Sequence, residues 1–220
     1  SSGVVPADWR AAHVTPIYKK GEQYDPANYR PVSLTCVVCK ILEHIVVSAV
    51  MQHFETNSIL TERQHGFRRG RSCETQLLEF VEELTANLEG GRQTDVLIMD
   101  FAKAFDRVNH SLLLHKLQRY GVKGTTNLWI SSFLRNRCQA VVVGGASSSF
   151  VGVKSGVPQG SVVGPCLFLA YINDLPEKLT ALVRLFADDT AVYRVISSGA
   201  DQEQLQQDLH RLGVWPSGWS

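Results

Sequence analysis

The sequence predicts an α+β fold in which helices back an antiparallel sheet, and three observations support this prediction. Helical patterns are interspersed with a few hairpins along the 220 residues, as in folds that carry helices on one face of an antiparallel sheet. Residues 182–195 predict a hairpin, because two runs of aliphatic, β-branched and aromatic residues flank Asp188 and Asp189 at a tight turn. Residues 94–99 predict an apolar strand that ends at Asp100.

The three acids at these strand ends are candidate metal ligands. A lone Asp-Asp pair in a hairpin is more often a solvated turn, since Asp is a common turn residue. Asp100 at the end of a second strand favours a metal site over a solvated turn, because neighbouring carboxylates repel each other unless a cation holds them. Three carboxylates at one end of a sheet could bind two Mg²⁺, hold a nucleoside triphosphate and activate a 3′-hydroxyl. This is the chemistry of a nucleic-acid polymerase palm.

Composition limits the class of protein. With 44% hydrophobic and 20% charged residues, the chain is expected to fold as one large core or two small subdomains. No apolar run reaches membrane-spanning length, and there is no secretory signal. We therefore expect no membrane partner and a nuclear or cytoplasmic location. Because the chain starts at Ser1 without an initiating Met, we expect a fragment of a longer protein.

The first third of the chain carries most of the clustered cations. Residues 14–21 predict a strand and turn with Lys19 and Lys20 at the tip, and residues 28–34 predict a second extended piece containing Arg30. Two such arms could cover a polyphosphate, although ordinary surface cations explain them equally well. Residues 64–72 form a Gly-rich basic loop that suits either phosphate contact or a solvated surface. Its arginines are Arg68, Arg69 and Arg71.

Two helices in this region have apolar faces that we expect to be packed. The first is capped by Ser33 or Thr35, runs to about residue 55 and has a broad apolar face: Val38, Ile41, Leu42, Ile45, Val46, Ala49 and Val50. The second is capped by Ser72 and stops at Gly90. Its inward face is expected to be Leu77, Leu78, Val81, Leu84 and Leu88.

The remaining chain predicts helices over residues 111–120, 125–136 and 200–212. A hairpin is expected between residues 139–144 and 150–155. Residues 156–165 form a loop rich in Gly and Pro that leads into an apolar helix ending near residue 172.

Six sequence blocks together resemble the reverse transcriptases of non-LTR (LINE-type) retrotransposons. The blocks MDFAKAFD at 99–106, GVPQGS at 156–161 and FADD at 186–189 stand in the order and rough spacing of blocks A, B and C of that family. PIYKKG at 16–21, YRPVSL at 29–34 and QHGFRRG at 64–70 are similar to its fingers blocks. The resemblance covers essentially the whole chain. It implies a right-hand polymerase, with residues 1–92 as the fingers portion, including part of the fingers/palm junction, and 93–220 as the palm.

The resemblance also implies roles for individual residues in blocks A and C. Asp100 and Asp188 would bind two Mg²⁺, with Mn²⁺ as a possible substitute, and Asp189 would be the third carboxylate. Phe101 would offer its backbone carbonyl to one metal ion. Phe105 matches the aromatic gate that excludes a ribose 2′-hydroxyl, and simple core packing is the alternative role.

The other blocks imply contacts with nucleotide and template. Lys19 or Lys20, with Arg30, would neutralise the triphosphate of a dNTP, and the loop containing Gln159 and Gly160 would pack beside the incoming nucleotide. The basic loop with Arg68, Arg69 and Arg71 would hold the template.

The implied activity is an RNA-directed DNA polymerase that extends a DNA 3′-hydroxyl primer on an RNA template, in retrotransposition. A catalytically inactive or domesticated RNA-binding fragment of the same fold is the alternative, while Phe105 counts against an RNA-dependent RNA polymerase. We expect the thumb and any endonuclease region of the longer parent protein to be absent. In the family, the pair resembling Trp215 and Trp219 precedes a segment that leads to the thumb.

Overall fold

A computed structural model describes residues 3–215. The α-helices of this part of the chain are α1 Val37–Thr56, α2 Cys73–Glu89, α3 His110–Arg119, α4 Gly124–Leu134, α5 Val163–Ile172 and α6 Gly199–Val214. The strands are β1 Ala11–Tyr18, β2 Tyr29–Leu34, β3 Gln93–Met99, β4 Arg137–Val143, β5 Ala146–Ser147, β6 Val151–Val153, β7 Leu182–Phe186 and β8 Asp189–Ile196. Short 3₁₀ helices cover Ala7–Trp9, Pro26–Asn28, Phe105–Arg107 and Pro176–Lys178.

The chain forms two compact units that alternate along the sequence. The first contains the residues up to 59 together with 103–171, and the second contains 60–102 together with the residues from 172 onward. The expected fingers/palm boundary between residues 92 and 93 stays a prediction.

The first unit contains a mixed sheet in the order β2-β1-β4-β5, with β6 also paired to β4. β1 and β2, which the sequence predicted only as two separate extended pieces, pair antiparallel, and β4 pairs with β6 across the predicted hairpin. β1 and β4 are parallel, with Ala11 opposite Cys138, and this pairing was not predicted. Helices α3, α4 and α5 supply many of the large side chains that are fully buried in this unit, among them Leu113, Leu117, Ile130, Phe133 and Leu167.

Helix α1 buries only part of the apolar face that the sequence predicts. Val38, Ile41 and Ile45 are 58–63% exposed, while Cys39, Glu43, Val50 and Phe54 are buried. The N-cap is Cys36, without a side-chain capping bond, so the expected caps Ser33 and Thr35 were wrong. The face is rotated because Glu43 reaches the first backbone N–H groups of α5, with Oε2 accepting from Val162 at 2.6 Å and Val163 at 3.0 Å.

Helix α1 is also the one helix within residues 3–215 that is long and apolar enough, by length and composition alone, to cross a membrane. The sequence prediction overlooked it because Lys40 and Glu43 interrupt its apolar runs. The core helix of a soluble protein can be equally long and apolar. The buried, hydrogen-bonded Glu43 carboxylate indicates a packing role for this helix.

The second unit contains the antiparallel sheet β3-β8-β7, and α2 and α6 pack against it. The predicted arrangement of an antiparallel sheet backed by helices is therefore confirmed here. Ser72 caps α2 by accepting a hydrogen bond from the Thr75 N–H, as the sequence predicts.

The side of α2 that meets the sheet differs from the prediction. Leu77, Leu78, Val81 and Leu88 are 55–76% exposed, and Leu84 is half-buried. The helix instead presents Glu79, Phe80 and Glu83 to the sheet: Arg184 of β7 pairs with both glutamates, and Phe80 meets the Tyr193 ring of β8 edge-on with centroids 5.0 Å apart. A cation and a tyrosine hydroxyl on the sheet thus select the acidic face of the helix over its leucines.

Candidate functional site

The three predicted acids lie at the same end of the β3-β8-β7 sheet. Met99, the last residue of β3, pairs with Thr190 of β8, so the antiparallel register brings the next residue, Asp100, beside Asp189. Phe186 and Asp189 close the β7–β8 hairpin around Ala187 and Asp188. The convergence that the sequence predicts is therefore present in the backbone of this unit.

The hairpin turn has an unusual backbone conformation. Ala187 has φ +55°, and Asp188 is not among the residues with positive φ, which is the pattern of a type II′ turn. Type II′ normally has Gly at its first central position, so Ala187 adopts a conformation that L-residues disfavour. Asp100 and Asp189 are exposed and Asp188 is half-buried.

The donor set fits a divalent cation of the Mg²⁺ or Mn²⁺ type, because carboxylate and carbonyl oxygens are the ligands these hard ions prefer. Within residues 3–215, no group of three His, Cys, Asp or Glu side chains is arranged so that it could hold a metal ion. The residues available are Asp100, Asp188, Asp189 and the backbone carbonyl of Phe101.

Phe101 follows Asp100 directly, and its ring lies 6.0 Å, between centroids, from the ring of Trp215 in a tilted arrangement. The other member of the predicted tryptophan pair, Trp219, lies outside the described residues.

In the first unit, the loop before α5 is held by residues of block A. The Asp106 carboxylate accepts a hydrogen bond from Gln159 Nε2 at 3.1 Å, and its backbone carbonyl accepts one from Ser155 Oγ at 3.0 Å. A Cβ on Gly156 would lie 2.7 Å from the Asp106 backbone, so only glycine fits this close approach. Asp106 therefore orients Gln159, the side chain that the sequence predicts beside a nucleotide.

The same loop is joined to β2. The Ser33 N–H donates to the Gln159 carbonyl at 2.7 Å, and a Cβ on Gly160 would lie 2.8 Å from the Ser33 carbonyl oxygen. The predicted residues Gln159 and Gly160 are thus fixed through their backbone.

A cavity of about 670 Å³ in the first unit is lined by three of the predicted nucleotide-binding residues, Lys19, Arg30 and Gln159. Lys103 and Tyr24 also line it. Lys20 is exposed outside this lining. The sequence left the role of Lys103 undecided, and its position at this cavity adds a third cation to the set.

Phe105 is half-buried and stacks on the Phe168 ring of α5, with centroids 4.3 Å apart and 18° between the planes. Phe105 therefore has the packing role that was the alternative interpretation of this residue, and its gating role stays a prediction.

The three arginines of the basic loop differ in their surroundings. The buried Arg68 donates from Nη1 to the Thr61 carbonyl at 2.9 Å, and Arg71 binds Glu62. Arg69 is exposed. Template binding by all three stays a prediction, and Arg69 is the member whose exposure suits it.

Sequence reasoning missed two polar side chains that support these segments, Glu43 beneath α5 and Gln64 beside the Ala187 turn. Both are buried, at 0% and 2% exposure. A lone acid within an apolar helical pattern was a usable signal for Glu43. For Gln64 the only signal was its place in the QHGF block, which suggested template contact instead.

Comparison with known proteins places the chain in a family. The model of the family described as "Reverse transcriptase (RNA-dependent DNA polymerase)" matches residues 17–219. In Drosophila melanogaster, the probable RNA-directed DNA polymerase from transposon X-element is 32% identical over 98% of this chain and 24% of its own length. The RNA-directed DNA polymerase from mobile element jockey is 31% identical over 99% of this chain and 25% of its own length. The chain thus spans about a quarter of the length of these curated relatives.

Solved structures show the same fold at low sequence identity. Apo telomerase from Candida tropicalis, truncated from its C-terminal domain, gives a TM-score of 0.67 at 11% identity over 94% of this chain and 47% of that one. Telomerase from Candida albicans, in complex with a fragment of telomeric RNA, gives a TM-score of 0.64 at 11% identity, over 94% of this chain and 40% of that one. The chain therefore belongs to the reverse transcriptase (RNA-dependent DNA polymerase) family, and the curated relatives it matches are polymerases of non-LTR retrotransposons.

Proposed function

We propose that this chain is the polymerase domain of a retrotransposon protein, which extends a DNA 3′-hydroxyl primer with dNTPs on an RNA template. The observation that supports it most is the β3–β8 register, because it brings Asp100 beside the turn that carries Asp188 and Asp189. A nuclear or cytoplasmic site of action belongs to the same proposal.

Reverse transcriptases use divalent metal ions. In this chain Asp100, Asp188 and Asp189, with the Phe101 carbonyl, would hold two Mg²⁺, or Mn²⁺ in their place. When bound, such ions lower the pKa of an attacking hydroxyl and neutralise the charge that develops on a transferring phosphoryl group. The three carboxylates would position the metal ions. Without bound ions, the carboxylates make this end of the sheet strongly anionic.

The first unit would supply the nucleotide contacts. Lys19, Lys20 and Arg30 are cations suited to a triphosphate, and Lys103 lines the same cavity as Lys19 and Arg30. Asp106 holds the Gln159 amide in one orientation, which suits hydrogen bonding to a nucleotide. Arg68, Arg69 and Arg71 are assigned to the template backbone.

Primer extension on an RNA template tests the proposal in the full-length protein. We expect the wild type to extend a DNA primer only with Mg²⁺ or Mn²⁺, and Asp188→Ala to lose this activity by a factor of at least about 10³, because a metal ligand is removed. Asp95→Ala is the matched control, since Asp95 lies on β3 and its carboxylate accepts a hydrogen bond from the Gln93 amide. Extension that survives in Asp188→Ala would contradict the metal assignment. A wild type that binds RNA but never extends the primer would favour the inactive RNA-binding alternative.

A further inference from the structure

The side chain of Gln64 holds the backbone of the carboxylate-bearing turn in the second unit. Its Oε1 accepts hydrogen bonds from the N–H groups of Ala187 and Gly66, each at 2.8 Å. Its Nε2 donates to the Ala187 carbonyl at 3.3 Å. One amide side chain thus binds both polar backbone groups of Ala187, the residue directly before Asp188.

The segment around Gln64 is itself fixed against β7. The Leu185 N–H donates to the Arg63 carbonyl and the His65 N–H donates to the Leu185 carbonyl, both at 2.9 Å. Gln64 and Leu185 form an isolated parallel bridge. These bonds place the Gln64 side chain beside the turn with little freedom to move.

Gly66 allows this close approach. A Cβ at position 66 would lie 2.3 Å from the Ala187 nitrogen and 3.1 Å from Gln64 Oε1. Any side chain there would therefore displace either the turn or the amide that holds it.

The turn needs such support because Ala187 has φ +55°, a conformation that persists only where the surroundings impose it. Ala187 and Gln64 are 6% and 2% exposed, so water does not compete for these hydrogen bonds. Releasing the Ala187 peptide would let the turn adopt other conformations and move the Asp188 and Asp189 carboxylates with it.

We propose that Gln64 is a positioning residue for metal binding, which acts by fixing the Ala187 peptide so that Asp188 and Asp189 project in one orientation. The inference rests on the proposed function for the role of the two acids. It assigns the start of the QHGF block to the carboxylate turn instead of the template strand. Groups that orient metal ligands typically change metal affinity by about 10- to 100-fold when they are removed.

Two measurements on the full-length protein test this inference without relying on polymerase activity. The first is hydrogen exchange at the Ala187 amide, and the second is the dissociation constant for Mn²⁺ by electron paramagnetic resonance, well below the melting temperature. For Gln64→Ala we expect exchange at least about tenfold faster, since the amide loses its acceptor, and Mn²⁺ binding about 10- to 100-fold weaker. Gln207→Ala, at an exposed glutamine of α6, should match the wild type in both.

Gln64→Glu keeps the test decisive if Gln64→Ala does not fold. It retains an oxygen for the Ala187 N–H but cannot donate to the Ala187 carbonyl when ionised, so we expect the same weaker Mn²⁺ binding with smaller loss of amide protection. A purely structural role would lower the melting temperature and leave the Mn²⁺ dissociation constant unchanged. That result, or unchanged exchange at Ala187, would overturn the inference.

Asp188→Ala separates this inference from the proposed function. If Mn²⁺ binding is lost in Asp188→Ala and retained in Gln64→Ala, the positioning role fails and the metal assignment stands. If the wild type binds no Mn²⁺ and extends no primer, the proposed function fails, and exchange at Ala187 still decides whether Gln64 holds the turn.

Discussion

The packing of Phe105 bears on the gating role that is predicted for it. Its ring stacks on the buried Phe168 ring, which restricts the orientation of the half of Phe105 that remains accessible. A gate that excludes a 2′-hydroxyl needs a ring that is held in one orientation, because a freely rotating ring would move aside for the 2′-oxygen.

We expect Phe105→Ala to raise incorporation of rNTPs relative to dNTPs by on the order of 10- to 100-fold, as for other pockets that discriminate by the size of a small group. The measurement is single-nucleotide primer extension with each substrate class. Phe150→Ala, at an exposed phenylalanine of the same unit, is the control and should keep the wild-type ratio. An unchanged ratio in Phe105→Ala would leave Phe105 with its packing role alone.

Among single residues, the positions of the acids were predictable, and the buried polar side chains that bind distant backbone groups were not. The placement of Asp100, Asp188 and Asp189 at one end of the sheet was predicted because strand patterns end at them, and their metal-binding role stays a prediction. Gln64 and Glu43 bind backbone groups more than 100 residues away in sequence. A local sequence pattern does not identify so distant a partner.

At the scale of elements, Asp208 anchors α6 to the start of β7. This fully buried carboxylate accepts hydrogen bonds from the N–H groups of Thr180 and Ala181 and from the Thr180 hydroxyl, and it pairs with Arg211. Burial alone would raise its pKa, but the hydrogen bonds from Thr180 and Ala181, together with Arg211, outweigh burial and hold the pKa below its ordinary value.

A lowered pKa in the folded state means that the ionised form of Asp208 stabilises the fold. Its contribution is complete above the ordinary Asp pKa of about 3.9 and is lost as the pH falls through the lower folded-state value. We expect Asp208→Asn to lower the free energy of unfolding at pH 7 by about 2–4 kcal/mol.

The measurement for Asp208 is urea unfolding of both proteins at pH 7, 5 and 3.5, with Asp95→Asn as the control. The difference between wild type and Asp208→Asn should narrow only at the lowest pH. An equal difference at all three values would show that the charge of Asp208 does not contribute.

Helices were predicted better in extent than in orientation. α2 begins at the predicted cap and stops at Gly90, because capping is local chemistry. Its orientation depends on Arg184 and Tyr193 of the sheet, which lie about 100 residues further on and attract Glu79 and Glu83. Hydrophobic periodicity alone cannot report such a partner.

At the scale of the whole molecule, the formal net charge is only +1, so nucleic-acid binding must depend on where the cations lie. Arg69 is exposed, whereas Arg68 and Arg71 bind groups of their own unit. Arg69 is therefore the loop residue most able to contact a phosphate.

We expect Arg69→Gln to weaken binding of an RNA–DNA primer-template and to reduce the slope of log K against log salt concentration by about 1, as for the loss of one phosphate contact. Fluorescence anisotropy across a salt series measures this slope. Arg92→Gln, at another exposed arginine of the same unit, should keep the wild-type slope. Equal slopes in all three proteins would remove Arg69 from the binding surface.

The family and the α+β class followed from the sequence, because block order and strand patterns are encoded locally. The β4–β6 and β7–β8 hairpins join neighbours along the chain and were predicted, whereas β1 and β2 were predicted as extended pieces without their pairing. The parallel β1–β4 pairing joins Ala11 to Cys138, and sequence patterns do not specify which distant strands will pair.

The pairing of β3 with β8 has a consequence for biosynthesis. Roughly 100 residues separate the two strands, and ribosomes add about 5–20 residues per second. The nascent β3 therefore waits on the order of 5–20 s for the strand that completes its sheet. During that interval its unpaired edge is open to other chains, so the translation speed of the segment from Asp100 to Ile196 should influence how much of the protein aggregates.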